Sequence, residues 1–243
     1  MNKTELKLEY NICEKGNTGI PVIVVAAGAS SRMKGTNKQL INLGGIPVII
    51  RTLRAFENCD DISNIILVVR DEDLFEIQML THKYMITKIS DIVCGGASRQ
   101  ESVLKGFARL KSNEKYVLIH DGARPFIDSK VINSVVLALN NFSAVTCAVK
   151  VKDTVKQIDK DGKVIKTLDR DSLVSVQTPQ GVNVEEYLEA VQKVNVSEFT
   201  DDTSIMEAAG YDVAVVEGSY KNIKITTKED IALAEGFLSE EEE

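Results

Sequence analysis

IPVIVVAAG, the stretch from Ile20 to Gly28, decides the fold. It is a continuous apolar run, rich in β-branched residues, that stops at a glycine. A strand buried on both faces of a parallel sheet has this pattern, because neither of its faces meets water. Such a sheet needs helices packed on both sides, so the rest of the chain should alternate between strands and helices.

That alternation continues along the chain. Further strands are predicted at Asn64–Val69, up to Cys94, and at Tyr116–His120, Ala144–Val149 and Asp212–Val216. Helices are predicted at Pro47–Phe56, Asp71–Leu80, Arg99–Leu110, from Asp128 to about Leu139, and from Thr227, where Asp230 has the spacing of a capping box. This α/β order predicts a mostly parallel sheet flanked by helices, in which ligands bind beyond the carboxyl ends of the strands.

One segment departs from this order. Val151–Asp171 alternates apolar and polar residues around Asp161 and Gly162, which is a strong hairpin signal. The segment is too polar for the interior of the sheet, so it should project as a β-hairpin arm. Either it is a solvated hairpin or it is a dimerisation arm, because an isolated two-stranded hairpin is only marginally stable.

The ends of the chain look different from its middle. We predict an N-terminal extension at residues 1–19 and an acidic tail at residues 239–243. Between them, residues 20–238 should form one domain that includes the arm at about residues 150–171.

Composition limits the classes of partner. The formal net charge is −7, which argues against a nucleic-acid partner but still allows an anionic substrate in a cleft where Lys and Arg gather. Four scattered cysteines and only two histidines argue against a structural zinc site and for reduced thiols. No apolar run has transmembrane length and the start is too polar for a signal peptide, so we expect a cytoplasmic protein without membrane contact.

The loop after the first strand has the features of a phosphate site. Its small residues at Ala26, Ala27 and Gly28 let backbone N–H groups approach a ligand, and the cations Arg32 and Lys38 follow. Neither the P-loop spacing nor G-x-G-x-x-G is present, so neither of those nucleotide sites is predicted. A triphosphate site is the functional hypothesis, and an ordinary basic surface loop is the alternative.

The loop GGASRQESV follows the strand that ends at Cys94. Gly95 and Gly96 permit close approach of a base or ribose, and Ser98 could cap the next helix. Arg99 and Ser102 lie in the first turn of that helix. A cation at a helix N-terminus is unfavourable to the helix dipole, so Arg99 serves either a ligand or a surface ion pair.

The loop HDGARP and two later segments complete the candidate set. Asp121 at the end of a strand could hold Mg²⁺ or a hydroxyl, and Arg124 could hold a phosphate, whereas His120 is expected to be packed. TDDTS, at Thr200–Ser204, either opens a short helix with an acidic first turn or contributes to the site. In NIKIT, Lys224 points either to water or into the cleft, where it would neutralise a reacting phosphate.

Taken in order, AAGASSRM, Lys38-Gln39, GGASRQESV, HDGARP, TLDR, TPQ, TDDTS and NIKIT resemble the 2-C-methyl-D-erythritol 4-phosphate cytidylyltransferases over nearly all of Ile20–Leu238. The resemblance implies a Rossmann-like, GT-A-like nucleotidyltransferase fold and a homodimer that exchanges its β-arms. It also implies transfer of CMP from CTP to methylerythritol phosphate with release of pyrophosphate, in the presence of Mg²⁺ or a similar ion. In the mechanism that it implies, the acceptor phosphate attacks the α-phosphorus in line, and no general base is needed because that phosphate is already ionised at neutral pH.

The same resemblance implies roles for individual residues. Those that match nucleotide contacts are Ala26, Ala27, Gly28, Gly95, Ser102 and Gly122, to which we add Arg99. Arg32 and Lys38 match a triphosphate clamp, and Lys224 matches the stabiliser of the α-phosphate in the transition state. Those that match acceptor contacts are Asp121, Thr200 and Lys224, with Arg124, Thr154 and Arg170 reaching across the dimer. Mg²⁺ would be held mainly by the triphosphate, with Asp121 as a candidate ligand.

Three alternatives stay open at this point. The first is a cytidylyltransferase for ribitol 5-phosphate or another polyol phosphate, against which Asp169-Arg170 and Asn222–Lys224 argue. The second is a sugar-1-phosphate nucleotidyltransferase that uses another base. The third is a nucleotide-sensing protein without catalysis, which would not need the complete set of charges.

Overall fold

The computed structural model describes residues 19–28 and 38–241. Its strands are β1 (Ile20–Val25), β2 (Asn42–Leu43), β3 (Ile46–Pro47), β4 (Ile62–Val69), β5 (Ile89–Cys94), β6 (Tyr116–Asp121), β7 (Ala144–Lys150), β8 (Lys156–Ile158), β9 (Val164–Thr167), β10 (Val174–Asn183) and β11 (Val213–Glu217). Its α-helices are α1 (Val48–Glu57), α2 (Leu74–Lys83), α3 (Arg99–Phe107), α4 (Ser129–Ala138), α5 (Val184–Lys193), α6 (Asp202–Ala208) and α7 (Lys228–Glu241).

Within these described ranges, seven strands form one sheet in the order β11-β7-β10-β6-β1-β4-β5. Every neighbouring pair is parallel except the two pairs that β10 makes with β6 and β7. The predicted mostly parallel sheet is therefore confirmed. The antiparallel strand in its middle was not predicted, because β10 contains Pro179 and buried polar residues where an apolar run would be expected.

Alternate residues of β1 pack on opposite faces of the sheet. Val22 and Val24 join a core with α1, α2 and α4, whereas Ile23 and Val25 join a core with α3, α5 and α6. Because both faces of the strand are covered, both must be apolar. The flanking helices inferred from Ile20–Gly28 are present on both sides.

The helix boundaries differ slightly from the predicted ones. A 3-10 turn at Asp71–Asp73 precedes α2, and α3 ends at Phe107 rather than at Leu110. The capping box is confirmed, since Asp230 accepts hydrogen bonds from the Thr227 backbone (2.8 Å) and its own N–H points to the Thr227 hydroxyl (3.4 Å). α7 continues through Glu241, so the first residues of the predicted tail are helical.

The predicted arm is a two-stranded hairpin of β8 and β9. Gly162 in its turn has a φ of 81°, which glycine adopts without strain. All residues of both strands are exposed. The predicted N-terminal extension lies outside the described residues, apart from Gly19. None of the described helices combines the length and the apolar character needed to cross a bilayer.

Candidate active site

Backbone hydrogen bonds bring the loops after β1, β5 and β6 together. Ala26 N donates to Val68 O (2.7 Å), and Gly95 N donates to Val69 O (2.7 Å). Gly122 N donates to Val25 O (2.9 Å). The three loops that the sequence singled out therefore meet at one edge of the sheet, as expected for parallel strands.

A first pocket of about 290 Å³ opens between these loops. Its walls include residues from every predicted nucleotide segment that the structure describes: Ala27, Gly28, Lys38, Gln39, Gly96, Ala97, Ser98, Arg99 and Ser102. Lys38 thus lines a pocket, which favours the phosphate hypothesis over a plain surface loop. Arg32 lies outside the described residues.

A glycine is required where β5 leads into this pocket. A Cβ on Gly95 would lie 2.3 Å from the Cβ of Ala27 and 2.8 Å from the Ser102 hydroxyl. That hydroxyl accepts a hydrogen bond from Gly96 N (3.0 Å) and donates one to Ser98 O (2.9 Å). Ser98 caps α3 as predicted, because its side chain accepts from Glu101 N (3.1 Å).

A second pocket of about 320 Å³ lies beside the first. The residues that line this pocket but not the first are Arg124, Val176, Gln177, Thr178, Gln180, Thr200 and Asp201. Arg99, Asp121 and Lys224 line both pockets, so they form a wall that the two share. The arrangement can hold two ligands side by side with these three side chains between them.

Asp121 is the centre of this shared wall. It is buried, and Lys224 Nζ lies 2.8 Å from its Oδ2. Arg99 Nε lies 3.5 Å from Oδ1, and Arg124 Nε lies 3.6 Å from Oδ2. Burial alone would raise the pKa of Asp121, but Lys224, Arg99 and Arg124 outweigh it and hold the pKa well below its ordinary value. Asp121 is therefore ionised at all ordinary pH values.

Arg99 does not form a surface ion pair. Its Nη2 lies 2.8 Å from Oδ2 of Asp202, a residue with no exposed surface. Burial opposes the charge of Arg99, but Asp202 and Asp121 more than compensate and raise its pKa. Asp202 was not among the predicted site residues, because it lies far from Arg99 along the chain and the TDDTS pattern also fits a simple helix start.

The loop that carries Lys224 is tied to β6 and β10. The side chain of Asn222, which is completely buried, donates to Thr178 O (2.8 Å), and Arg124 Nη1 donates to Asn222 O (2.8 Å). Ile225 N donates to Ala123 O (2.8 Å). These bonds hold the segment, which is a loop and not a strand, so that Lys224 lines the cleft and reaches Asp121 while 38% of its side chain stays exposed.

His120 is a packed residue, as predicted. It has no exposed surface, its ring meets Phe56 edge-on, and its Nδ1 lies 3.1 Å from the Thr178 hydroxyl. Burial lowers the pKa of His120 to about 3, so the ring is neutral at neutral pH. It lines neither of the two pockets described above.

The predicted acceptor residues divide into two groups. Arg124 and Thr200 line the second pocket beside Asp121 and Lys224. Thr154 and Arg170 are exposed on the arm, where Arg170 Nη1 donates to Lys152 O (2.9 Å), and neither lines the two pockets of its own chain.

Asp121 does not fit a Mg²⁺ ligand in this arrangement. Both of its oxygens face cations of the same chain, and a metal ion would have to compete with them. Within residues 19–28 and 38–241, no three His, Cys, Asp or Glu side chains lie close together, so a Mg²⁺ ion there would take most of its ligands from substrate phosphates and water.

Comparisons with known proteins agree on one family. Residues 20–240 match the family model described as 2-C-methyl-D-erythritol 4-phosphate cytidylyltransferase. Proteins of that name from Bacillus cereus and Clostridium novyi are 45% and 46% identical over 220 and 221 residues, which covers 89% of this chain and 96% and 95% of theirs. The crystal structure of 4-diphosphocytidyl-2C-methyl-D-erythritol synthase from Anaerococcus prevotii superposes with a TM-score of 0.81 at 36% identity, covering 92% of this chain and 97% of that one.

Proposed function

The chain belongs to the 2-C-methyl-D-erythritol 4-phosphate cytidylyltransferase family, and we propose that it transfers CMP from CTP to 2-C-methyl-D-erythritol 4-phosphate, giving 4-diphosphocytidyl-2-C-methyl-D-erythritol and pyrophosphate. One observation carries the proposal in the structure. Two pockets share Arg99, Asp121 and Lys224, so a nucleotide and a phosphorylated acceptor can meet across that wall. The family match favours this acceptor over ribitol 5-phosphate.

The first pocket suits CTP. The backbone around Gly95 and Gly96 and the hydroxyl of Ser102 offer the close polar contacts that a flat pyrimidine needs. Lys38 lines the same pocket and can hold the triphosphate, and Arg32 would assist from outside the described residues. Ala26, Ala27, Gly28 and Gly122 supply backbone rather than side chains.

The second pocket suits the acceptor. Arg124 offers a guanidinium for its phosphate, and Thr200 and Asp121 can bind its hydroxyls. The acceptor phosphate attacks the α-phosphorus in line, and pyrophosphate departs on the opposite side. Lys224, between the pockets, neutralises the charge that develops on the α-phosphate, so catalysis consists of positioning and electrostatic stabilisation.

We also propose that the β-arms mediate a homodimer in which Thr154 and Arg170 reach the acceptor pocket of the partner subunit. The exposed arm supports this proposal, because Ile158, Val164 and Ile165 are 57%, 56% and 58% exposed. Burying them against a second chain would remove that apolar surface from water. Size-exclusion chromatography with light scattering tests it, and a stable monomer would count against the exchanged arm.

Mg²⁺ would then arrive with the triphosphate rather than on protein ligands. The cations around Asp121 support this view, since their positive charges would repel a metal ion from its oxygens. Titrating the chain with Mn²⁺ should give tight binding only when CTP is present. Because CTP is a cytoplasmic metabolite, we further infer that the enzyme works in the cytoplasm, which cell fractionation can test.

A coupled pyrophosphate-release assay decides the proposed function. We expect turnover with CTP and 2-C-methyl-D-erythritol 4-phosphate, and much slower turnover with ribitol 5-phosphate, a sugar 1-phosphate or another nucleoside triphosphate. Pyrophosphate release with ribitol 5-phosphate but not with methylerythritol phosphate would show that ribitol 5-phosphate is the acceptor. Tight CTP binding without turnover on any acceptor would instead indicate a nucleotide sensor.

A further inference from the structure

Asp202 lies behind the wall that the two pockets share. It is the first residue of α6 and is completely buried. Its Oδ1 accepts a hydrogen bond from the Tyr187 hydroxyl (2.8 Å), and its Oδ2 lies 2.8 Å from Arg99 Nη2. It lines neither pocket, so it does not touch a ligand there directly.

The carboxylate of Asp202 is not used to cap its helix. The first N–H groups of α6, those of Asp202 and Thr203, both donate to Gln180 Oε1, at 2.9 and 3.2 Å. The interpretation of TDDTS as a simple helix start therefore does not explain why the Asp202 side chain is buried against Arg99. A buried ion pair is also weak evidence for stability, since the desolvation of both charges offsets their attraction.

What the Asp202 carboxylate does is hold one side of Arg99. With Nη2 on Asp202, the guanidinium turns only its Nε toward Asp121, at 3.5 Å from Oδ1. Oδ2 of Asp121 faces Lys224 at 2.8 Å, with Arg124 Nε farther away at 3.6 Å. Without the charge of Asp202, Arg99 would be paired with Asp121 alone. Arg99 would then compete with Lys224 for the carboxylate of Asp121.

One donor of the Arg99 guanidinium makes no hydrogen bond. Arg99 Nη1 is buried and has no hydrogen-bond partner among the described residues. Other parts of the Arg99 side chain line both pockets. Buried donors are normally paired, so its direction has to be maintained by the groups that hold the rest of the side chain.

We propose that Asp202, held by Tyr187, is a positioning residue for the transfer reaction. It fixes the Arg99 guanidinium in the shared wall and thereby keeps Asp121 available to Lys224. The inference rests on the proposed function, because it assigns Asp202 to the same two-substrate site.

Asp202→Asn tests this positioning role, because it keeps a polar partner for Tyr187 but removes the charge. We expect kcat to fall by about 10- to 100-fold through misplacement of Arg99 and Lys224, with KM for CTP changed by less than about 3-fold. The matched control is Asp91→Asn, which removes the same charge from an exposed pair with Arg109 (3.4 Å) and should leave both parameters unchanged.

A double-mutant cycle with Arg99 separates a positioning role of Asp202 from a merely structural one. In an Arg99→Gln background, adding Asp202→Asn should lower kcat by less than about 2-fold, because the side chain that Asp202 positions is gone. Wild-type kcat in Asp202→Asn, or the same fold-loss in both backgrounds, would overturn the proposal. If Asp202→Asn does not fold, Tyr187→Phe carries the test, since Phe can still stack on Phe107. An unchanged kcat in Tyr187→Phe would then overturn it.

A readout without turnover distinguishes this inference from the proposed function. Acetylation of Lys224 by an amine-reactive reagent, followed by mass spectrometry, should speed up by about 3- to 10-fold in Asp202→Asn as Lys224 loses Asp121. The rate in Asp91→Asn should match the wild type. Equal rates in all three proteins would refute the positioning role even if the wild type proved inactive with CTP and methylerythritol phosphate.

Discussion

At the wall between the two pockets, Asp121 is buried against three cations of its own chain. On the β-arm, by contrast, Arg170 is exposed and bonded to the arm's own backbone at Lys152. The charges of the wall are paired within one chain, since Asp121 faces Arg99, Arg124 and Lys224, and Arg99 also faces Asp202. The arm buries none of its strand residues, and Thr154 and Arg170 are exposed as well, so under the proposed dimer their environment would come from the second chain. The charges at the wall are thus fixed by packing within one chain, whereas the proposed acceptor contacts of the arm depend on a second chain.

The largest expected effect is at the wall. Lys224→Ala should keep the fold but lower kcat by about 10²–10³, because a transition-state cation is lost. Steady-state kinetics with CTP and methylerythritol phosphate measures it. The matched control is Lys221→Ala on the same loop, where the lysine forms an exposed pair with Glu240 (3.0 Å) and turnover should be normal. Near-normal turnover in Lys224→Ala would show that Lys224 does not stabilise the transition state.

The next effect tests whether the arm completes the partner's site. Arg170→Ala alone should lower kcat/KM for the acceptor by about 10- to 100-fold, as expected for a lost phosphate contact. An equal mixture of Arg170→Ala and Lys224→Ala chains that exchange subunits should recover about a quarter of wild-type activity. Half of the dimers are then mixed, and in each of them one of the two sites has both Lys224 and the partner's Arg170. A mixture no more active than its components would show that each chain builds its own site.

A smaller effect is expected in the first pocket. Gly95→Ala should raise KM for CTP by about 10-fold or more, because the new Cβ would lie 2.3 Å from that of Ala27 and must displace the loop. The control is Gly236→Ala on an exposed turn of α7, where a Cβ meets nothing within 4 Å. That substitution should leave KM unchanged and stabilise the protein by about 0.5–1 kcal/mol. Unchanged CTP binding in Gly95→Ala would show that the base does not bind beside Gly95.

The smallest effect concerns stability and pH. His120 has a pKa of about 3 in the fold but an ordinary pKa when unfolded, so only the unfolded chain binds its proton between about pH 6.5 and pH 3. Stability should therefore fall as pH drops through this window, by up to about 1.4 kcal/mol per pH unit from this group. Denaturant titrations at several pH values measure the slope. His120→Gln should flatten it, and an identical slope in that variant would contradict the assignment.

Periodicity predicted the strands that are apolar throughout and the helices with one apolar face. It could not predict β10, whose buried Gln177, Thr178 and Gln180 are acceptable inside the sheet only because specific partners satisfy them. α5, which follows β10 directly, was missed as well, although Asn183 at its start and the acidic residues of its first turn are local helix signals. Patterns that depend on pairing with distant residues have no local signal.

The candidate site divides in the same way. Loop position predicted that Gly95 and Asp121 would meet, because the carboxyl ends of parallel strands share an edge. The direction of Lys224 stayed open until the bonds of Asn222 and Ile225 were known. Asp202 was overlooked because its partner Arg99 is more than a hundred residues away and nothing in TDDTS shows which acidic side chain turns inward.

Arg99, Asp121 and Lys224 belong to both pockets, and this sharing ties the two ligands thermodynamically. An anion bound on one side changes the charges that the other side presents. At equilibrium the linkage is reciprocal: the factor by which CTP changes the affinity for the acceptor equals the factor by which the acceptor changes the affinity for CTP. Neither dissociation constant is then a property of one pocket, and each has meaning only at a stated concentration of the other ligand.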